Sequence, residues 1–233
     1  MKFRTIILSS LLILALLPLS ATADTVEDFQ TWAAVIATVS PAGKEAPYRV
    51  WLEAQGRYDD DSSHLNQSLL RAAAGYRIRP RTVLWAGYGH INNDPQGTDE
   101  DVTEHRYWQQ LTWSKEAPLL GFSLSTRTRL EERTVESFDD TGWRFRHLSK
   151  VTRPLAFDGR LYLSAWDEFF VNLNDTDWGA DDGLDQNRLF AGVGVRLAPS
   201  ARGEVGYLNQ WITRSGQPDA VNHVLSVTLL LNF

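Results

Sequence analysis

The sequence predicts an all-β fold, a single transmembrane antiparallel β-barrel of 10–12 strands preceded by a cleaved signal peptide. Three features carry this reading. An export-type leader opens the chain, a period-two alternation of apolar and polar residues fills the remainder, and the spacers between alternating segments are short and long by turns.

Lys2 and Arg4 form a positive n-region, Ile6 to Leu17 an apolar h-region, and Ala21-Thr22-Ala23 a small-x-small cleavage site ahead of Asp24. That arrangement is a secretory signal peptide. Its apolar run is too short for an anchor, because a spanning helix needs ~20 residues. The chain therefore divides into a leader over residues 1–23 and one domain over residues 24–233, and removing Lys2 and Arg4 takes the formal charge from −6 to −8. Cysteine is absent, which excludes disulfides and the lipid-modified cysteine of a lipoprotein. No later stretch approaches the ~18 consecutive apolar residues of a membrane helix.

Beyond the leader the apolar residues recur every second position, as in strands with one apolar and one polar face. The segments fall at about residues 28–39, 48–58, 64–78, 82–91, 103–114, 121–133, 142–153, 160–172, 185–197, 201–213 and 221–233. In the second, Tyr48, Val50, Leu52, Ala54, Gly56 and Tyr58 share one face, against Arg49, Trp51, Glu53, Gln55 and Arg57. In the last, Val221, His223, Leu225, Val227, Leu229, Leu231 and Phe233 oppose Asn222, Val224, Ser226, Thr228, Leu230 and Asn232. Each has the length that a tilted strand needs to cross a bilayer.

The spacers give the barrel its expected sides. Residues 40–47, 79–81, 115–120, 154–159 and 198–200 form the short set, and residues 59–63, 92–102, 134–141, 173–184 and 214–220 the long or acidic set. Outer-membrane barrels have short periplasmic turns and longer extracellular loops, so acids such as Asp59, Asp60, Asp61, Asp94, Asp139, Asp140, Asp175, Asp177, Asp181 and Asp182 are expected outside. The final run Leu229-Leu230-Leu231-Asn232-Phe233 resembles the carboxy-terminal recognition strand of such barrels, with Phe233 as the assembly signal. Barrels of this type have an even strand number and both ends periplasmic. Eleven segments are counted here, and counting back from Phe233 puts the start of the first one outside.

If the apolar face meets lipid, the other face is lumenal. Segment five turns Glu104, Arg106, Trp108, Gln110 and Thr112 inward, segment six Arg127, Arg129, Glu131 and Arg133, and segment seven Arg144, Arg146, Leu148 and Lys150. Segment eight adds Tyr162, Ser164, Trp166 and Glu168, and segment nine Gln186, Arg188 and Arg196. With Arg49, Glu53, Arg57, Arg71, Arg77 and Glu204, thirteen basic and five acidic side chains point inward. Such a lumen either attracts anions through a pore or is a polar core filling the bore, since barrels of 10–12 strands lie between filled and open sizes.

Five strings resemble a bacterial family carried under the label domain of unknown function 2490. They are Glu104-His105-Arg106-Tyr107-Trp108-Gln109-Gln110, Arg127-Thr128-Arg129-Leu130-Glu131-Glu132-Arg133, Arg144-Phe145-Arg146, Asp167-Glu168-Phe169-Phe170-Val171-Asn172 and Asp185-Gln186-Asn187-Arg188-Leu189-Phe190-Ala191-Gly192. The resemblance runs from Asp28 to Phe233. It implies an outer-membrane barrel without an assigned substrate or reaction.

Lipid chemistry at a barrel surface would need a serine beside a histidine held by a third group. His105, His147 and His223 point toward lipid as aromatic-belt substitutes, while His64 and His90 lie at extracellular strand ends near Ser62 and Ser63. No catalytic residue, cofactor or metal ligand is assigned from this pattern, and no basic tail points to nucleic acid. The acidic loops read either as divalent-cation holders or as solvated surface. Trp32, Trp51, Trp85, Trp113, Trp143, Trp178 and Trp211 fall mostly near segment ends, which suits interfacial girdles. The expected role is a narrow channel for small anionic solutes or a structural barrel of the Gram-negative envelope, the alternative being a phospholipase or lipid A hydrolase. Expected partners are outer-membrane lipid and lipopolysaccharide, the barrel-assembly machinery acting on the last strand, and a small anionic solute.

Overall fold

A computed structural model describes residues 25–97, 101–117 and 121–233. The expected leader, and Asp99 and Glu100 of the acidic set, lie outside the described residues. Eleven strands form one sheet: β1 (Val26–Val39), β2 (Tyr48–Asp59), β3 (His64–Arg79), β4 (Thr82–Asn93), β5 (Val102–Ala117), β6 (Phe122–Val135), β7 (Thr141–Ala156), β8 (Leu161–Asn172), β9 (Gly183–Ala198), β10 (Ala201–Ile212) and β11 (Ala220–Asn232). Each expected segment is a strand. β5 and β7 run three residues further than expected at their turn ends, where alternation fades but hydrogen bonding continues.

Sequential strands pair antiparallel, and the sheet closes on itself through β1 and β11. Closure satisfies every edge, as lipid requires. The odd strand count is accommodated by a parallel seam, from Val26 opposite Ala220 to Thr38 opposite Asn232. This overturns the rule of even number and shared terminal side: β1 spans fully and starts at the loop end. The seam is stitched to the last residue, since Ser40 N donates to Phe233 O at 2.8 Å and Phe233 N donates to Thr38 O at 2.9 Å. At the other end Val26 N donates to Asp219 O at 3.0 Å.

One end carries the short turns and Phe233, the other the acidic loops. The longest of the turn-end links, residues 40–47, is fastened from inside the barrel. Arg49 donates to the carbonyls of Ala46 and Lys44, and Arg77 to those of Lys44 and Glu45. Two cations expected in the lumen are thereby spent on main-chain oxygens at the rim.

The outer surface is banded. From the turn end upward, outward residues are apolar: Leu229, Val227 and Leu225 on β11, Val195, Val193 and Leu189 on β9, Leu161, Leu163 and Ala165 on β8. They then turn polar, at His223, Asn187 and Asp167 respectively. Polar side chains on this half pair with each other, as Asn187 does with Asp167 at 2.9 Å and Tyr207 with His223 at 2.6 Å.

Inside, rings need room on a closely curved wall. A Cβ on Gly87 would lie 2.4 Å from the Trp108 ring, one on Gly75 would lie 2.5 Å from Trp85, and one on Gly194 would lie 2.1 Å from Tyr162. Trp32, Trp51 and Trp85 turn inward, contrary to the girdle expectation; Trp32 and Trp85 are buried in two apolar clusters on the lumenal wall, with Trp51 packed against the second. Their position near segment ends misleads because side-chain parity, not height, selects the face. Gly87→Val is expected to lower stability by about 1–3 kcal/mol through overpacking. Gly56→Ala, whose Cβ would meet only Leu65 at 3.4 Å and Tyr58 at 3.6 Å, is expected to shift the urea midpoint little. Tryptophan-fluorescence unfolding of both refolded variants checks the contrast.

Candidate functional site

The lumen is built on cross-strand pairs. Register places Glu131 opposite both Trp108 and Arg144, Arg129 opposite both Gln110 and Arg146, and Glu168 opposite Arg188. Period two points all of these residues inward, so opposite charges meet two residues apart along a strand and directly across to the next.

Glu131 is the centre. Its side chain is 0% exposed and accepts from three arginines: Arg146 Nη1 at 2.6 Å and Arg129 Nη1 at 3.1 Å on Oε1, and Arg144 Nη2 at 2.7 Å and Nε at 3.1 Å on Oε2. Arg146 also reaches Glu168 at 2.8 Å, and Glu168 accepts from Arg127 at 2.8 Å. Arg129, 1% exposed, donates to Gln110 at 2.8 Å and lies 4.0 Å over the Trp108 ring. Toward the loop end Glu104 holds Arg106 at 2.6 Å and Arg133 at 2.5 Å. Toward the turn end Glu204 holds Lys150 at 2.7 Å, with Tyr162 and Ser164 donating to the same carboxylate. Glu53 pairs with Arg71 at 2.6 Å. Every lumenal carboxylate is thus occupied, and all twelve expected ladder residues lie inside the barrel.

The carboxylates run out before the cations do. Arg57 donates to Gln67 at 2.8 Å and to Gln55 at 3.1 Å, and Arg188 donates to Gln186 at 3.0 Å. Neither has a carboxylate within ion-pair distance among the described residues. Both rest on Trp32, at 3.9 and 4.8 Å from the ring centroid, so their charges can be no further apart than those distances summed. Like charges that close repel by about 2 kcal/mol or more at an effective dielectric of about 20, which the aromatic contacts offset in part.

The ladder divides the bore into two chambers. The loop-end chamber, about 490 Å³, is lined by seven arginines against Glu104 and Asp185. The turn-end chamber is about 550 Å³. Arg57, Arg71, Arg146 and Arg188 line both, so they form the septum. Trp178, from the loop between β8 and β9, covers part of the loop end: it lies 4.7 Å from Arg133 and donates to the Asp140 carbonyl at 3.0 Å.

Asp185 escaped the sequence reading. Strict alternation with Gln186 and Arg188 puts it outside, but Phe170 pairs with Gln186 and Val171 with Leu184, so Asp185 is the extra residue of a β-bulge. It reaches Arg144 at 3.3 Å. Bulges re-aim side chains in this way, and simple parity cannot show them. The acidic loops use their carboxylates on main-chain amides. Asp177 accepts from the amides of Asp139 and Asp140, Asp140 from that of Asp177, and Asp175 from that of Asp182.

Of the histidines, His64 lies between Asp59 and Asp94 at 3.0 and 3.2 Å and makes no hydrogen bond to a serine among the described residues. His90 faces outward, its ring 5.6 Å from that of His105. The serine contact is instead at His147, whose Nδ1 lies 2.8 Å from Thr128 Oγ1 and whose Nε2 lies 3.3 Å from Ser149 Oγ. The signal for it is the string His147-Leu148-Ser149, which places both groups on one strand face.

A family model described as protein of unknown function, DUF2490, matches residues 29–222. The chain belongs to this family. An uncharacterized protein of Methylorubrum extorquens is 33% identical over 215 residues, covering 91% of each chain. Among solved structures, the outer-membrane expressed OmpT of Vibrio cholerae is 16% identical, with a TM-score of 0.41 over 71% of this chain and 55% of that one. Its in-vitro folded trimer form gives 0.42 over 72% and 57%. The chain spans just over half of that protein's length.

Glu131→Gln is expected to cost about 3–5 kcal/mol, because it leaves three buried guanidiniums short of their counter-charge. Glu132→Gln, one position along and facing outward, is expected to stay within about 0.5 kcal/mol of the parent. Urea unfolding of the two refolded variants measures the difference.

Proposed function

We propose that this chain is an outer-membrane barrel that passes small anionic solutes along a narrow arginine-lined bore, with acidic loops outside and short turns in the periplasm. The observation that carries this reading is the pair of chambers meeting at Arg57, Arg71, Arg146 and Arg188. A solute crossing the septum meets four guanidiniums whose field, in low-dielectric walls, favours anions and repels cations. Because the ladder fills the middle of the bore, passage requires side chains to part, and conductance is small. Refolded protein in a planar bilayer is expected to show discrete, small, anion-selective steps, with selectivity weakened by Arg127→Ala or Arg144→Ala. Absence of any step in the parent protein sinks the channel and leaves a structural barrel.

A second reading, a lipid-modifying enzyme, draws support from the outward chain Thr128–His147–Ser149. It lies partway up the outer wall, on β7 between Val151 and Phe145. With the Nδ1 proton donated to Thr128, His147 Nε2 takes the Ser149 proton as Oγ attacks an ester carbonyl carbon. The ester C–O bond breaks, the leaving alkoxide receives that proton, and water repeats the sequence to release the acid and restore Ser149. Purified protein in phospholipid or lipid A micelles is then expected to release fatty acid at a rate that Ser149→Ala abolishes. Equal release by that variant removes the reading.

A further inference from the structure

We infer that the septum floor of the loop-end chamber, where Arg57 and Arg188 converge on Trp32, is a binding site for a small doubly charged oxyanion. The inference rests on the anion pathway proposed above and names the solute class that the pathway takes.

The site is defined by charge left over once the lumenal glutamates are occupied. Arg188 is only 7% exposed. Its Nε donates to Gln186, and its two terminal nitrogens, the fork that grips an oxyanion, donate to no protein atom among the described residues. Glu168 stands directly across from it in register, yet that carboxylate is taken by Arg127 and Arg146. Arg57 donates only to the amide oxygens of Gln67 and Gln55, and its Nε is buried without a partner. On the same strand Glu53 is taken by Arg71, and Asp59 by His64 and Asn66. Two positive charges therefore sit in a largely desolvated floor with amide oxygens as their direct partners and no carboxylate of their own, an arrangement that an anion would relieve.

The floor is held in shape for that purpose. Asn222 donates to Gln210 at 3.0 Å and Gln210 to Gln186 at 2.7 Å, which turns the Gln186 oxygen toward Arg188 Nε. Trp32 Nε1 donates to Gln30 at 2.9 Å, fixing the ring on which both guanidiniums rest. The carbon centre of Arg188 also lies 4.6 Å from the Phe170 ring. A guanidinium is planar and offers paired N–H donors, a fork that matches two oxygens of one anion. A halide offers no such pair, and a monoanion neutralises only one of the two charges. The barrel wall separates the chamber from the bilayer, so the ligand is a free solute and not a lipid headgroup. Phe138 and Trp178 at its upper lining set a small size.

The test is isothermal titration calorimetry of the folded barrel in detergent micelles with sulfate, inorganic phosphate, malonate and chloride at fixed ionic strength, with tryptophan fluorescence recorded in parallel. The expected result is saturable one-to-one binding of a dianion, tighter than chloride. Arg188→Gln is expected to weaken it roughly ten- to hundredfold, the span of a charge-assisted hydrogen bond. Arg188→Lys should fall between, keeping the charge but losing the fork. Arg196→Gln, at the exposed turn end, should bind like the parent. If Arg188→Gln does not fold, Arg57→Gln decides in its place. No saturable dianion binding to the parent, or equal affinity in the folded variant, overturns the site. Binding without bilayer conductance overturns the channel and leaves the site, whereas anion conductance without saturable binding does the reverse.

Discussion

Everything in this molecule depends on main-chain pairing having no free edge. In hydrocarbon an unpaired amide or carbonyl costs several kcal/mol, so a chain of eleven strands must either lose one or close with two strands running the same way. It does the latter. The parallel seam between β1 and β11 is anchored at both of its ends by hydrogen bonds to residues outside regular pairing. Phe233 contributes through its backbone at that seam, so the terminal residue closes the barrel as well as ending the last strand.

Closure creates the second constraint. A wall that excludes lipid from the bore also limits the water within it, and period two delivers a row of cations into that space from almost every strand. Five glutamates absorb most of this charge, each shared or fully occupied, with Glu131 holding three arginines. Aromatic rings take up part of the rest. Trp32, Trp108 and Phe170 each carry at least one guanidinium, and inward glycines make the space for Trp85, Trp108 and Tyr162. The polar core and the proposed route for anions are thus one set of residues: the pairs that fill the ladder leave Arg57 and Arg188 without a carboxylate of their own.

The two faces of the wall divide the chemistry. Outside, polar residues interrupt the apolar surface partway up several strands, among them the paired Tyr207 and His223, Asp167 and Asn187, and the Thr128–His147–Ser149 chain. Inside, the changes along the axis are of charge partner, from Glu104 near the loops through Glu131 to Glu204 near the turns. Neither gradient needs a separate domain; both follow from the placement of residues along tilted strands.

By itself the sequence determined the class, the eleven segments, the sidedness of turns and loops, and the inward row from Glu53 to Glu204, because alternation is a local property that every residue obeys at short range. Only the tertiary structure decided how an odd number closes, since that depends on which edges meet after the chain has gone full circle. It also decided that Asp185 turns inward at a bulge, that Trp32 and Trp85 join Trp51 on the lumenal wall and not at the interface, and that the serine contact lies at His147 and not at His64 or His90. The closure and the bulge rest on pairing between strands, which alternation within one segment does not reveal. The same register determines which arginines find carboxylates: composition tells that the lumen holds more cations than anions, but only the fold shows that Arg57 and Arg188, both against Trp32 at the septum, are left without one.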